Sequence, residues 1–222
     1  MSKITVQHIK LVEEQGFCLI EHFFSDLEME PLESLDTEHN TRFCLDKIPQ
    51  LKPFAEAIVK ELQHHFKKLY FNRSILFNKT AGKNWSVLWH QDLSLCLKKK
   101  IPVDGYGPWS VKENIPHVQP PGEILKGMIT ARLHIDANNE NNGALKVIPQ
   151  SHKNGILNRD TVQKLSKNEK THTCCGQSGS LLLMKPLILH SSSSSSGTSD
   201  RRVLHLEFLN QQPQSPLKLY HS

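Results

Sequence analysis

Several features that would place this chain of 222 residues in other classes of protein are missing from its sequence. Its five cysteines are odd in number and lack CxxC spacing, which argues against a disulfide framework or a zinc knuckle and predicts reduced thiols. No apolar run approaches the ~18 residues that span a bilayer. The N-terminal residues also lack the basic-then-apolar order of a secretion signal. We therefore expect a cytoplasmic protein that does not enter a membrane.

A large excess of charge of one sign is also missing. The 27 lysines and arginines stand against 22 acidic residues and give a formal net charge of +5. The tight basic runs, residues 98–100 and 201–202, are too short to predict a nucleic-acid surface, because phosphate binding needs many clustered cations. A mildly positive field would instead attract an anionic small molecule. We expect a small-molecule substrate, no nucleic-acid partner, and a monomer or homodimer.

The length and the 37% of hydrophobic residues suit one folded domain over residues 1–222. Apolar spacing predicts helices over 6–14 and 51–70 and a strand over 17–24. Short strand patterns bounded by turn residues follow at 73–78, 85–92, 128–136, 144–148, 180–184, 187–190 and 202–209. This order predicts a mainly β fold with flanking helices, a sandwich or jelly roll. The helix- and strand-containing N-terminal part would be 1–72 and the jelly-roll core 73–210.

A segment rich in proline and glycine, residues 97–127, interrupts the strand pattern. Long irregular insertions in compact domains are typically binding loops or lids. We interpret this segment as a lid, with Tyr106 and Trp109 as its aromatic residues.

One short motif carries the chemistry. His90 and Asp92 end a strand pattern, and strand alternation places them on the same face. A third ligand from a distant strand would complete one face of an octahedral ion and leave three open positions, an arrangement that suits Fe(II) better than structural zinc. Chance alone produces an HxD pair in roughly half of chains with this composition. A second pair, His134 and Asp136, shows that the motif is weak by itself.

The surrounding motifs give a stronger indication. The sequence reads HQD at 90–92, NGALKVIPQSHKNG at 142–155 and HSS at 190–192, and Arg201 follows eleven residues after His190. In these motifs, which run from about residue 78 to 209, the chain resembles the phytanoyl-CoA hydroxylase family of Fe(II)/2-oxoglutarate dioxygenases. It departs from the family in reading PQSH where members have PGSH, and in a polyserine run after the distal histidine.

The resemblance implies a double-stranded β-helix, a cupin-like jelly roll, with Fe(II) held by His90, Asp92 and His190. It also implies that Arg201 and Ser192 bind the distal carboxylate of 2-oxoglutarate. A guanidinium suits that role because it pairs with a carboxylate through two hydrogen bonds. The implied activity is hydroxylation of a C–H bond of a small molecule, with O2 as co-substrate and decarboxylation of 2-oxoglutarate to succinate.

The strand pattern over 128–136 has an unusually polar face. Alternation places Thr130, Arg132 and His134 on one side, and the apolar residues between them must be buried on the other, against the helices. Buried polar groups need partners, so we expect Thr130 to contact the co-substrate, and Arg132, His134 and the lid residue Trp109 to contact the substrate. For Arg132 a structural ion pair is an equal alternative.

Three other functions are compatible with the sequence. A cupin-like metalloenzyme that does not use 2-oxoglutarate would need no carboxylate clamp at Arg201 and Ser192. A non-enzymatic binding module could occupy the same fold, because fold does not determine function. An oxygenase acting on protein or nucleic acid would need a basic surface groove.

Overall fold

Short strands recur along the chain after residue 70. The computed structural model describes residues 1–35, 40–80, 85–195 and 201–221. Their strands are β1 (Phe17–Ile20), β2 (Thr41–Arg42), β3 (Tyr70–Lys79), β4 (Val87–His90), β5 (Leu95–Cys96), β6 (Trp109–Lys112), β7 (Ile115–Val118), β8 (Ile129–His134), β9 (Leu145–Val147), β10 (His172–Thr173), β11 (Leu181–Met184), β12 (His190–Ser192) and β13 (Arg201–Leu209). Their helices are α1 (Val6–Gln15), α2 (Asp26–Glu33), α3 (Cys44–Lys47), α4 (Lys52–Gln63), α5 (Gly122–Lys126) and α6 (Arg159–Asn168).

The strands form three sheets in which the described neighbours pair antiparallel. The largest has the order β1-β11-β8-β13-β3-β2, the second β10-β9-β12-β4, and the third β5-β7-β6. Strands that are distant in sequence, such as β3 and β13, therefore become neighbours. The prediction of a mainly β fold with flanking helices is confirmed.

The main core lies between the large sheet and the helices. Ala131, Leu133 and Ile135, on one face of β8 and just beyond its end, pack with Ile58 and Leu62 of α4 and are at most 4% exposed. Full burial of such an aliphatic side chain contributes about 1.5–3 kcal/mol. The predicted apolar face of this strand thus packs toward the helices, which turns Thr130, Arg132 and His134 to the opposite side of the sheet.

Two predicted elements are shorter than the sequence pattern indicated. The helix predicted over 51–70 ends at Gln63. Phe66 and Leu69 still pack against the main core, from outside the helix, so their spacing imitated a continuing helix. The strand predicted over 17–24 ends at Ile20, and His22 has a φ of 50°, which breaks the extended backbone. None of the helices in the described ranges has the length and hydropathy needed to cross a bilayer.

The segment 97–127 has more regular structure than the irregular insertion predicted from its composition. It contains the β6–β7 hairpin and α5, and Tyr106, Ile124 and Leu125 are buried in a second apolar cluster. The turn of the hairpin is tied to α3 by an ion pair between Lys47 Nζ and Glu113 Oε2 at 2.8 Å. Proline and glycine here mark turns between packed elements. Closure of this segment over a ligand stays a prediction.

Candidate active site

Two histidines that are far apart in sequence meet on adjacent strands. His90 of β4 and His190 of β12 are paired in register, and their ring centroids lie 4.2 Å apart. Asp92 follows β4 directly, and its Oδ2 lies 3.5 Å from His190 Nε2. One ligand atom from each of these three residues lies within 4.8 Å of the others. The sequence-predicted metal ligands are therefore brought together.

Both histidine rings are oriented by their own strands. His90 Nδ1 lies 2.8 Å from the carbonyl oxygen of Leu88, and His190 Nδ1 lies 2.8 Å from that of Ile188. A carbonyl oxygen can only accept, so Nδ1 carries the proton in each ring, and in the neutral form of the ring Nε2 keeps its lone pair. Hydrogen bonding at one ring nitrogen typically fixes the tautomer of a metal-binding histidine. Both rings thus offer Nε2 as a ligand.

The carboxylate of Asp92 lies in a positive field. Burial alone would raise the pKa of Asp92, but the neighbouring charges of His190 and Arg73 outweigh that effect and lower it. Arg73 Nη2 lies 3.7 Å from Asp92 Oδ1. Burial lowers the pKa of His190 to about 4. At neutral pH His190 is therefore a neutral imidazole and Asp92 a carboxylate, and with His90 they form a two-histidine, one-carboxylate donor set that suits Fe(II).

A small cavity of about 80 Å³ extends from the triad to Arg201. Arg201 is 3% exposed, and its Nε and Nη1 have no hydrogen-bond partner among the described residues. Burial and the charge of Arg132 lower the pKa of Arg201 to about 9, which still leaves the guanidinium charged at neutral pH. Lys79, which was not predicted from the sequence, also lines this cavity, and its Nζ donates to Ser192 Oγ at 3.0 Å. The polyserine run beyond Ser195 lies outside the described residues.

The next residue, Arg202, points to the other side of β13. Its Nη2 and Nε bind the two carboxylate oxygens of Asp136 at 2.7 and 2.9 Å. Its Nη1 donates to the carbonyl oxygens of Leu32 and Leu35 at the end of α2. Asp136 of the second HxD motif is thereby held in an ion pair away from the triad. His134 is buried, and its pKa falls to about 3 because burial disfavours its charged form.

The polar face of β8 contributes unequally to the site. Arg132 lines the small cavity, and its Nη1 donates to His205 Nδ1 at 2.7 Å. Thr130 and His134 are buried but line neither cavity beside the triad. Thr130 Oγ1 and His134 Nδ1 have no hydrogen-bond partner in the described part of the chain. Of these three residues, the geometry brings Arg132 alone to a cavity wall beside the triad.

A buried polar network behind Asp92 was not predicted. Glu207 Oε1 accepts from Arg73 Nη2 at 2.6 Å and lies 2.8 Å from His205 Nε2, while its Oε2 accepts from Asn72 Nδ2 at 2.7 Å. Asp92, His205 and Glu207 form a second group with metal-compatible spacing. Both oxygens of Glu207 are already hydrogen-bonded, so this group forms an internal ion-pair network. The His205-x-Glu207 spacing on a strand was the available sequence signal.

Gln91 separates the two ligands of the HQD motif and points the other way. Its Nε2 donates to the carbonyl oxygens of Gly155 and Leu187, at 2.8 and 2.6 Å, and its Oε1 accepts from the backbone N–H of Leu157 at 2.8 Å. The glutamine therefore satisfies three backbone groups that are at least partly buried, and it fixes the strand end that carries His90 and Asp92.

A larger cavity of about 520 Å³ opens on the other side of the triad. It shares His90 and Asp92 with the small cavity, and its walls include Trp85 and the predicted lid residue Trp109. Ligand pockets typically measure about 300–1,000 Å³. The triad thus lies between a small cationic cavity and a cavity large enough for an organic molecule.

Comparison with known proteins agrees with this arrangement. The sequence model of the family described as phytanoyl-CoA dioxygenase (PhyH) matches residues 12–203. No curated protein matches the chain significantly. Iron-bound HygX from Streptomyces hygroscopicus is similar in structure, with 17% identity, a TM-score of 0.65 and coverage of 94% of this chain and 87% of that chain. EctD from S. alaskensis with 2-oxoglutarate and 5-hydroxyectoine has 16% identity, a TM-score of 0.68 and coverage of 96% and 79%. The predicted cupin-like jelly-roll fold is confirmed.

Proposed function

Since this chain belongs to the phytanoyl-CoA dioxygenase family, we propose that it is an Fe(II)- and 2-oxoglutarate-dependent dioxygenase that hydroxylates a C–H bond of a small molecule. The observation that carries the proposal is the arrangement of His90, Asp92 and His190 beside Arg201, whose Nε and Nη1 have no partner among the residues that the structure describes. Either feature alone would fit other proteins. Together they match an enzyme that needs both a metal and a carboxylate clamp.

The three candidate ligands fit iron in their chemical kind. His90 and His190 present Nε2 and Asp92 presents a carboxylate oxygen, which is the two-histidine, one-carboxylate set of non-haem Fe(II) oxygenases. Cysteine takes no part, and a three-residue set leaves open positions that a closed structural zinc site lacks. Iron held here supplies the oxidising chemistry, with O2 and 2-oxoglutarate as co-substrates that yield hydroxylated product, succinate and CO2.

The small cavity fits a dicarboxylate. Arg201, Arg132 and Lys79 bring positive charge into its wall, against the single carboxylate of Asp92 among the described lining residues. We assign Arg201 to the distal carboxylate, because a guanidinium offers paired donors that match a carboxylate, and Nε and Nη1 of Arg201 have no hydrogen-bond partner among the described residues. Ser192 and Lys79 would place a second donor pair beside it. Thr130 stays a proposed contact of the co-substrate, and it is less well supported than Arg201 because it lines neither cavity.

The protein's own contribution is to position the metal ligands and to enclose the reacting groups. The Nδ1 hydrogen bonds to Leu88 and Ile188 hold both imidazoles, and Arg73 restrains the Asp92 carboxylate. Orientation of this kind is how a protein scaffold accelerates chemistry that belongs to a cofactor. We assign Arg132, Trp109 and His134 to the substrate side, with Trp109 best supported because it lines the larger cavity.

The rival without 2-oxoglutarate has less support. A buried guanidinium with unpaired donors is costly, and Nε and Nη1 of Arg201 are unpaired within the described ranges. A metalloenzyme that did not bind a carboxylate would gain nothing from such an arginine. A binding module would not need ligands held with their Nε2 atoms free.

Domain organisation, location and partners belong to the same proposal. The chain would form one catalytic domain, with residues 97–127 as a lid that closes over the larger cavity. The enzyme would act in the cytoplasm as a monomer or homodimer, without a nucleic-acid partner. HygX has been seen with nickel, 2-oxoglutarate and hygromycin B bound, which supports a small-molecule substrate here.

The proposed activity is tested by adding Fe(II) and 2-oxoglutarate to the protein under nitrogen. Chelation of iron by 2-oxoglutarate should produce a metal-to-ligand charge-transfer absorbance. Exposure to O2 should then release succinate, and candidate substrates should accelerate that release. A protein that binds Fe(II) and shows neither the absorbance nor succinate would support the metalloenzyme without 2-oxoglutarate.

A further inference from the structure

The larger cavity carries positive charge that the described residues do not neutralise. Arg42, at the end of β2, and Lys112, at the end of β6, stand in its wall. No described carboxylate forms an ion pair with either side chain. Asp92 is the one carboxylate among the described lining residues, and it belongs to the metal triad.

A third cation in the wall, Arg73, is already paired. Its Nη2 lies 2.6 Å from Glu207 Oε1, so its charge is largely compensated behind the cavity. No described residue compensates Arg42 or Lys112 in this way. Burial and the charges of Arg73 and Arg42 lower the pKa of Lys112, which indicates that these cations act on one space. Uncompensated like charges that face a partly desolvated cavity favour an anionic ligand.

The remaining wall is apolar and partly aromatic. The same cavity is lined by three aromatic and two aliphatic side chains: Trp85, Trp109, Phe77, Ile75 and Val118. Indole and phenyl faces bind the flat or aliphatic body of an organic molecule. Arg42 and Lys112 do not line the small cavity, whereas His90 and Asp92 line both. An anionic group at Arg42 and Lys112 would therefore leave the body of the molecule between the aromatic wall and the triad.

We propose that the substrate is a small organic anion whose carboxylate or phosphate group is bound by Arg42 and Lys112 and whose apolar body packs against Trp85 and Trp109. The inference rests on the proposed function, because it names the substrate class of that same site. Carboxylates and phosphate esters share the required charge, and separate probes distinguish them.

The test is equilibrium binding of four probes to the Fe(II)- and 2-oxoglutarate-loaded protein under nitrogen. Quenching of tryptophan fluorescence measures the binding. The probes share one body: 3-phenylpropionate, 2-phenylethyl phosphate, neutral 3-phenylpropionamide and cationic 3-phenylpropylamine. At least one anion should bind roughly tenfold more tightly than the amide, since a charge-assisted hydrogen bond is about twice as strong as a neutral one. The amine should bind most weakly.

Two variants locate the effect. The double variant Arg42→Gln, Lys112→Gln should lose roughly tenfold in affinity for the preferred anion and keep its affinity for the amide. Lys167→Gln, on the exposed face of α6, removes a charge elsewhere and should change neither. Preference for the carboxylate or for the phosphate would identify the anionic group.

Three outcomes would overturn the inference: no binding of either anion in the millimolar range, equal binding of anion and amide, or equal losses in the double variant and in Lys167→Gln. The iron and 2-oxoglutarate absorbance is recorded in the same samples. If that absorbance is absent in the wild-type protein, the proposed function fails, whereas a normal absorbance without anion preference contradicts the substrate class alone.

Discussion

His90 and His190 face each other across two neighbouring antiparallel strands, and each ring is held by the carbonyl oxygen two residues before it. The same local geometry is thus used twice. In both strands Nδ1 is directed to a backbone carbonyl group, which leaves Nε2 of both rings available to one metal ion. Asp92 adds its carboxylate 3.5 Å from His190 Nε2.

The first prediction concerns these three ligands. Replacement of His90, Asp92 or His190 by alanine should weaken Fe(II) binding by more than about 100-fold. Loss of a residue that only hydrogen-bonds to a metal ligand already costs about 10- to 100-fold in affinity. Fe(II) binding is measured under nitrogen by competition with a chromogenic chelator.

Two control variants separate this site from its neighbours. His134→Ala should keep iron, and so should His205→Ala, which disrupts the second metal-compatible group. Thermal unfolding of each variant checks that the fold is retained. Loss of iron in His205→Ala with retention in His90→Ala would place the metal at Asp92, His205 and Glu207 instead.

The second prediction distinguishes two adjacent arginines. Arg201→Ala should weaken 2-oxoglutarate binding by roughly 30-fold or more, since losing one partner of a desolvated charge pair costs about 2–5 kcal/mol. Arg202→Ala should leave binding nearly unchanged and instead lower stability, because Asp136 and the carbonyl groups of Leu32 and Leu35 lose their donor. Titration of the charge-transfer absorbance measures the first effect, and urea denaturation the second. Equal affinity losses in both variants would contradict the proposed orientation.

The third prediction concerns the ion pair behind Asp92. Arg73→Met should destabilise the protein by about 3–5 kcal/mol, because it leaves Glu207 buried without its cation. The double variant Arg73→Met, Glu207→Met should recover part of that loss, since it removes both charges. Urea denaturation midpoints provide the measurement. An Arg73→Met loss no larger than that of the double variant would show that the pair contributes little.

The fourth prediction is a pH dependence. His134 has a folded-state pKa of about 3, below the unfolded value of about 6.5, so its contribution to stability is complete above pH 6.5 and is lost as the pH falls toward 3. Over that range the unfolded state binds one more proton at this site, which costs about 1.4 kcal/mol per pH unit. His134→Gln should therefore lose stability on acidification more slowly than the wild-type protein. Identical slopes in urea denaturation at several pH values would refute the assignment.

Alternation within single strands was predictable from the sequence. The HQD motif places His90 and Asp92 together and Gln91 opposite, and the hydrogen bonds of Gln91 to Gly155, Leu187 and Leu157 confirm that orientation. The same two-residue period separates Arg201 from Arg202 and the polar from the apolar face of β8. Side-chain direction along a strand follows from local backbone geometry, so no distant partner is needed to predict it.

What the sequence by itself determined is therefore the family motifs and the candidate metal ligands that they contain. The tertiary structure alone decided which polar residues compensate each other. Glu207 lies opposite Arg73 because β13 pairs with β3, and Lys79 reaches Ser192 through a contact between distant segments. The sequence likewise does not show that Arg73 is compensated while Arg42, Lys112 and Arg201 have no paired carboxylate within the part of the chain that the structure describes. Whether a buried charge is paired depends on distances of a few ångströms across sheets, and those distances are set by long-range strand register.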